Sequence, residues 1–433
     1  MTDARIHIVG AGLAGLAAAL SLADAGLAPR LCLHEASNHA GGRCRSFHDA
    51  ALGCTIDNGN HLILGANPAV FGYLAGLGGR AALASPPETV FPFADLATGE
   101  SWLLRPNRGR LPWWIAAPAR RVPGSRVGDY LQALRLLAAG PADSVADRLD
   151  RRSTLYRRLW EPLTVAVLNA SPEEGSARLM GRVVREVFGG GAEGSRPYIA
   201  ADGLSAALVD PAVARLAGLG AEIRFASRLR AIDRSDGGVT ALHFAGDSVI
   251  VGRDDRVILA VPPLVAARLL PGLTVPLGSR AILNLHYRLD RPLRRDPAAA
   301  AEIIGLVGSI AQWLFLRDGL ASVTVSAADA LLDRPDDDLA ATVWREVAAA
   351  LGLLGVAVPP GQPRVRIVKE KRATFLQSPA NLPRRPATTA LGGNLLLAGD
   401  WTDTGLPATI EGAIRSGNAA AAVARRAAIA TVA

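Results

Sequence analysis

Apolar and polar positions alternate along this chain in blocks that mark its elements. Residues 5–9 read as a short buried strand, 16–25 as an Ala/Leu-rich helix ended by Gly26, and 30–34 as a second strand. Residues 155–188 have helical spacing, interrupted near Ser171-Pro172. Segments 222–233, 239–244, 248–251 and 256–260 read as strands separated by polar turns such as Asp236-Gly237-Gly238. Residues 280–289 and 321–325 look like further strands, and 339–351 like a helix. A last buried strand over 394–398 precedes a last helix over 409–426. No repeat or low-complexity linker interrupts this order, which predicts an α/β fold.

The first block carries chemistry. Gly10-Ala11-Gly12-Leu13-Ala14-Gly15 joins the first strand to the first helix, and Glu35 closes the second strand 20 residues after Gly15. In such a βαβ unit Gly10 permits the tight turn, Gly12 admits a pyrophosphate, and Gly15 lets helix and strand pack closely. The helix N-terminus offers free N–H groups to phosphates, and Glu35 would accept hydrogen bonds from a ribose diol. A glycine turn kept for packing alone is the plainer alternative. Gly189-Gly190-Gly191-Ala192-Glu193-Gly194 leads to Arg196-Pro197 and not to a helix, so it reads as a loop and one dinucleotide site is expected. Gly41-Gly42-Arg43 can set a guanidinium against the same pyrophosphate. Near the other end, residues 397–400 end a strand with Gly399-Asp400, and 407–413 open a helix whose N-terminus suits negative charge on a reduced ring.

Composition narrows the class. Half of the 433 residues are hydrophobic and 20% are charged, which is globular. Cys32, Cys44 and Cys54 form neither a CxxC pair nor a disulfide framework, so a reducing cytoplasm fits and no metal site is expected. The apolar runs 6–23 and 303–316 lack the flanks or length of a signal peptide or span. The net charge of +8 is concentrated. Residues 101–128 hold Arg105, Arg108, Arg110, Arg120, Arg121 and Arg126 and no acid, together with Trp102, Trp113 and Trp114. No zinc-finger, RNA-binding or helix-turn-helix pattern accompanies them, so nucleic acid is not an expected partner. An anionic membrane surface is one reading of this segment, and a solvated basic loop with tryptophans packed inward is the other.

Taken together, Gly10/Gly12/Gly15, Glu35, Gly41-Gly42-Arg43 and Ala398-Gly399-Asp400 resemble the flavin amine oxidase and phytoene desaturase superfamily. Asp57-Asn58-Gly59-Asn60-His61, Leu168-Asn169-Ala170-Ser171-Pro172-Glu173-Glu174, Ala311-Gln312-Trp313-Leu314-Phe315 and the stretch from Gly399 to Thr409 resemble, more narrowly, the bacterial hydroxysqualene dehydroxylase family. The likeness spans nearly the whole chain. Asn60, where glutamine is usual, and Gly175, where alanine is usual, depart from the pattern.

The resemblance implies a Rossmann-like FAD-binding domain (1–75, 195–270 and 385–433) interleaved with an α+β substrate domain (76–194 and 271–384). It implies reduction of hydroxysqualene, a C30 isoprenoid alcohol, to squalene by hydride transfer from reduced FAD to an allylic cation. The electron donor that reduces the FAD is not legible. Gly10, Gly12, Leu13, Ala14, Gly15, Glu35, Ala36, Gly42 and Arg43 would hold the ADP half, with Leu229 near the adenine. Gly399 and Asp400 would bind the phosphate–ribityl region, and Ala408, Thr409 and Ile410 would approach the isoalloxazine. Asn58, Gly59, Asn60 and His61 should pass beside the ring.

His61 is the candidate acid for the leaving hydroxyl, unless it only hydrogen-bonds the cofactor or backbone. Asp57 reads as a structural turn residue. Asn169 either orients the substrate hydroxyl or ends a helix. Trp313 and Phe315 either line a substrate channel or pack in the core. A carotenoid-type desaturase, an amine oxidase and a non-enzymatic flavoprotein are the rival readings. Strand 280–289 lacks the lysine many amine oxidases carry there, and no aromatic pair is evident near Trp401.

Overall fold

The computed structural model, which describes residues 4–296, 301–317 and 319–430, assembles a five-stranded parallel sheet from distant parts of the chain. Its order is Glu222–Arg224, Leu31–His34, Ile6–Val9, Arg256–Leu259 and Leu395–Leu397. Ile6–Val9 and Leu31–His34 are buried throughout, as expected of parallel strands covered on both faces. Helix Leu13–Ala23 buries every residue but Ser21, because helix Ile410–Ala430 crosses it closely. Gly417 makes that approach possible, since a Cβ there would overlap the Ala14 carbonyl oxygen.

A second, seven-stranded mixed sheet has the order Val365–Phe375, Ser279–Arg288, Leu320–Val325, Trp313–Arg317, Glu302–Val307, Phe91–Asp95 and Glu100–Leu104. One face, with Leu283, Leu285, Tyr287, Leu314 and Val323, packs on Val343, Val347 and Leu351 of helix Asp336–Leu353. The pairings Trp313↔Thr324, Phe315↔Ser322, Asn284↔Thr324 and His286↔Ser322 put those six side chains on the opposite face. That face looks towards the helical segment 127–195 and the 57–61 loop.

Two expectations change, those for 222–233 and 189–194. The strand foreseen over 222–233 is two strands, because Ala226 turns at φ +53°. Glu222–Arg224 stays in the parallel sheet, while Leu229–Ser235 starts a separate antiparallel sheet. The apolar run 303–316 is a hairpin of two strands. The glycine-rich segment 189–194 is not an open loop. It forms the short turns Phe188–Gly190 and Gly191–Ser195, with Gly191 at φ +61°. Among the described residues no helix is long and apolar enough to cross a membrane.

Three histidines are buried in these sheets. Burial drives the His34 pKa down to about 3 and that of His286 down to about 4, and lowers that of His7. His7, Cys32 and His34 converge on the face of the parallel sheet that meets Phe244, with ligand-type atoms within 4.8 Å of one another. Burial pushes the Cys32 thiol up to about 12, and Phe244 stacks on His34 at 4.3 Å, so the trio packs as neutral groups. The unfolded chain therefore binds protons that the folded chain refuses. Stability from these sites is complete above the ordinary histidine pKa near 6.5 and is lost as pH falls towards 4. His34 and His286 should each contribute a loss of about 1.4 kcal/mol per pH unit in that window. Denaturant midpoints at pH 7.5 and pH 5 test this, and equal values would contradict it.

Candidate active site

Glycines open the backbone at the end of strand Ile6–Val9. Gly10 sits at φ +108°, where a side chain would strain the backbone and a Cβ would strike the Ala260 carbonyl. Gly12 precedes helix Leu13–Ala23, whose N-terminus has no side-chain cap. Gly41 bridges back to Gly12, and a Cβ on Gly42 would touch only the Gly12 Cα, at 3.4 Å. A Cβ on Gly12 would meet nothing within 4 Å. The result is an open notch lined by glycine backbone and by the uncapped N–H groups around Leu13, Ala14 and Gly15, a ready anion site.

Glu35 lies beside this notch. Its oxygens accept from Ala11 N at 2.8 Å and from Ser37 N at 2.8 Å, which fixes the carboxylate and leaves lone-pair directions for a diol. The backbone N–H groups of Ala226 and Ser227 donate to the Ser37 and Glu35 carbonyls, clamping Ala36 between them. Leu229 follows at once, buried at the head of the second small sheet.

The two chain ends meet at Arg43 and Asp400. The Arg43 guanidinium pairs with the Asp400 carboxylate at 2.7 Å and also donates to the Ala373 carbonyl. The Asp400 charge is the main cause of a raised Arg43 pKa. The expected partners were separate, pyrophosphate for Arg43 and the phosphate–ribityl region for Asp400, whereas the structure pairs the two residues with each other. Asp400 is held by groups that no motif flagged. Gly399 N donates to Ser416 Oγ at 2.9 Å, and the buried Arg385 donates to the carbonyls of Asp400, Thr402 and Leu406. Thr409 Oγ1 accepts from Gly412 N at 3.1 Å and so caps helix Ile410–Ala430. Ala408 N donates to Gln377, whose amide reaches the Leu168 carbonyl. Ile410 is buried in the core beside them.

The 57–61 loop lies between this cradle and the second sheet. Asp57 is structural: it accepts from Ser46 Oγ and Leu204 N and pairs with Arg317 at 3.1 Å. Asn60 donates to Thr324 Oγ1 at 3.0 Å, and its backbone N–H donates to Asn284 Oδ1 at 3.2 Å. Asn284 in turn reaches the Asn58 carbonyl, close to Gly59. Asn284 and Thr324 were not foreseen. Their only sequence signal is a polar residue recurring on one side of otherwise apolar strands.

His61 Nδ1 donates to the Gly59 carbonyl at 3.0 Å, and Nε2 faces Cys44 Sγ at 3.9 Å. Burial lowers the pKa of this imidazole, but the Cys44 sulfur, the Gly59 carbonyl and the Asp57 charge outweigh it and raise the pKa to about 9. That direction favours the protonated imidazole. Cys44 directly follows Gly41-Gly42-Arg43 and was missed as a site residue.

Trp313 and Phe315 share the sheet face of Asn284 and Thr324 and are buried with Phe93, Trp102 and Trp160. Trp313 Nε1 has no hydrogen-bond partner among the described residues. Asn169 ends helix Glu161–Leu168 at φ 50°. Its carboxamide accepts from Ala327 N at 2.6 Å and donates to Thr374 Oγ1 and the Arg280 carbonyl, so its described contacts brace the sheet edge.

Known proteins match this arrangement. The family model for flavin containing amine oxidoreductase matches residues 13–424. Hydroxysqualene dehydroxylase of Sinorhizobium fredii is 47% identical over 96% of this chain and 97% of its own length. That of Rhodopseudomonas palustris is 46% identical over the same shares, 96% and 97%. The 15-cis-phytoene desaturase of Arabidopsis thaliana is 24% identical over 95% of this chain and 78% of its own. Among solved structures, a redesigned putrescine oxidase superposes with a TM-score of 0.71 at 19% identity, covering 98% of this chain and 99% of that one. Cyclohexylamine oxidase from Brevibacterium oxydans superposes with a TM-score of 0.68 at 18% identity, covering 100% of both. These likenesses establish the flavin amine oxidase fold and a flavin cofactor. The chain belongs to the flavin containing amine oxidoreductases and, within them, to the hydroxysqualene dehydroxylase family.

Proposed function

We propose that this chain binds FAD and reduces hydroxysqualene to squalene with loss of water. The observation that carries the reading is full-length identity of 47% to a hydroxysqualene dehydroxylase, with His61 set between the phosphate notch and the aromatic face of the second sheet. FAD is favoured among flavins because the notch at Gly12 accepts a phosphate group and Glu35 offers carboxylate oxygens to an adenosine ribose. When bound, reduced FAD supplies the hydride.

The chain's own residues do the rest. His61 holds a proton on each nitrogen at neutral pH. The Nδ1 proton is kept by the Gly59 carbonyl, whereas the Nε2 proton faces only the long Cys44 contact and is the one available to a leaving hydroxyl. Loss of water leaves an allylic cation on the substrate. The π-faces of Trp313 and Phe315 suit a cation and carry no competing nucleophile. Asp57, the buried carboxylate of the same loop, is paired with Arg317 at 3.1 Å. Asn60, tied to Asn284 and Thr324, keeps the loop in register with the sheet.

The test is anaerobic incubation of FAD-loaded protein, a chemical reductant and hydroxysqualene, with mass spectrometry of the extract. Squalene is expected in proportion to reduced flavin. Full FAD occupancy without squalene would reject the reading, and oxidation of phytoene instead would place the chain with the desaturases.

A further inference from the structure

Half of the ten large hydrophobic side chains that stand exposed among the described residues fall between Leu111 and Leu134. Leu111 is 81% exposed, Leu134 60% and Trp113 55%, with Val127 and Leu131 beside them. They form one surface. The turn Trp113–Ala116 packs on helix Val127–Tyr130, with the Trp114 and Tyr130 rings edge-to-face at 5.2 Å. Tyr130 Oη accepts from Val122 N, which ties in the stretch between them. The three tryptophans of the basic segment therefore divide: Trp102 and Trp114 pack inward, and Trp113 alone points out.

The rim of this surface is cationic. Arg105, Arg108, Arg110, Arg126 and Arg135 are exposed around it, and the Arg120 guanidinium lies 4.9 Å over the Trp113 ring. Asp129 is the one acid in residues 101–137, and it is spent on the Arg126 backbone N–H as a helix cap. Exposed apolar side chains gathered within a cationic rim mark an interaction site. Arginines around exposed leucines and a tryptophan match a bilayer surface, with apolar side chains among acyl chains and guanidinium groups at anionic headgroups.

What lies beneath supports a lipid over a protein occupant. Trp114, Val122, Tyr130 and Leu136, directly under the patch, belong to the same buried apolar cluster as Trp160, Trp313 and Phe315. Leu62, next to His61, packs against that cluster too. Apolar side chains thus run without a break from the exposed leucines to the candidate acid. We infer that the face formed by Leu111, Trp113, Val127, Leu131 and Leu134 docks on an anionic lipid bilayer and that the cluster beneath it is the route of an isoprenoid from membrane to site. The route rests on the substrate reading above, whereas the docking does not.

The experiment is co-sedimentation of the FAD-loaded protein with phosphatidylcholine vesicles, with and without phosphatidylglycerol, over a range of salt. Wild type should sediment with the phosphatidylglycerol vesicles and release as salt rises. Combined Leu111→Ser, Trp113→Ser and Leu134→Ser changes should weaken partition at least about tenfold. Combined Arg108→Gln, Arg110→Gln and Arg126→Gln changes should weaken it and flatten the salt dependence. FAD content and thermal unfolding should stay at wild-type values in both. Absence of wild-type binding, or wild-type binding by both variants, would overturn the proposal. So would a wild-type dimer that the serine variant dissolves. Vesicle binding without squalene formation would leave docking standing and remove the catalytic reading.

Discussion

Gly15→Ala is expected to prevent folding, while Gly12→Ala folds and loses its flavin. The glycines lie three residues apart in one motif, yet their surroundings are opposite. A Cβ on Gly15 would overlap the Gly10 carbonyl oxygen and press on the Ala260 Cβ at 3.4 Å. The obstacle is backbone, and Gly10 cannot retreat because the Ala260 carbonyl stands behind it. Overpacking usually costs about 1–3 kcal/mol, and more where no side chain can move aside. Against a total stability of about 5–15 kcal/mol that is severe. A Cβ on Gly12 meets nothing within 4 Å in the protein, so apoprotein stability should change by less than about 1 kcal/mol. The methyl group would instead fill the notch meant for phosphate oxygens, and flavin affinity should drop at least about 100-fold. Thermal unfolding of the apoproteins and a flavin titration read the two effects separately. Wild-type affinity in Gly12→Ala would move the phosphates elsewhere.

His61→Ala is expected to slow single-turnover squalene formation about 10²–10⁴-fold with FAD content unchanged. The acid form is the active one, so the wild-type rate should hold at neutral pH and fall as pH rises through about 9. This limb should vanish in His61→Ala. Cys44→Ala gives a sharper readout. It removes the sulfur that opposes burial, so the limb should move down towards or below the ordinary histidine range. Turnover at low pH should survive there, because the imidazole remains. A limb that stays near 9 in Cys44→Ala would deny the sulfur its role. Unchanged turnover in His61→Ala would remove His61 as the acid.

Local patterns carried much of this molecule. The strand–glycine–helix–strand unit from Ile6 to His34 formed close to its expected bounds, as did the last strand and helix. Asp57 is structural as anticipated, but it bonds Ser46, Leu204 and Arg317 from distant elements rather than its own turn. Other elements gave no local signal. Val365–Phe375 carries four consecutive charged residues, 369–372, at the edge of the second sheet, and Phe91–Asp95 with Glu100–Leu104 forms the other edge. Such strands are defined by a neighbour rather than by their own periodicity. Arg385, Gln377 and Ser416 hold the Asp400 loop and cap region from positions without any motif. Their role is set by which carbonyls and N–H groups happen to come near, and that depends on the completed fold.

The sequence by itself determined that a Gly-x-Gly-x-x-Gly turn joins the first strand to the first helix and that the basic charge is concentrated in a single segment. Both follow from local geometry or plain counting: glycine spacing and an acid-free run. Only the tertiary structure decided that Arg43 meets Asp400, that Cys44 Sγ faces His61 Nε2, and that Trp113 alone of its segment's tryptophans faces out. Those are pairings between groups far apart in sequence, or choices between inside and outside. Distance, burial and electrostatics settle them once the chain has folded, and no spacing along the chain encodes them.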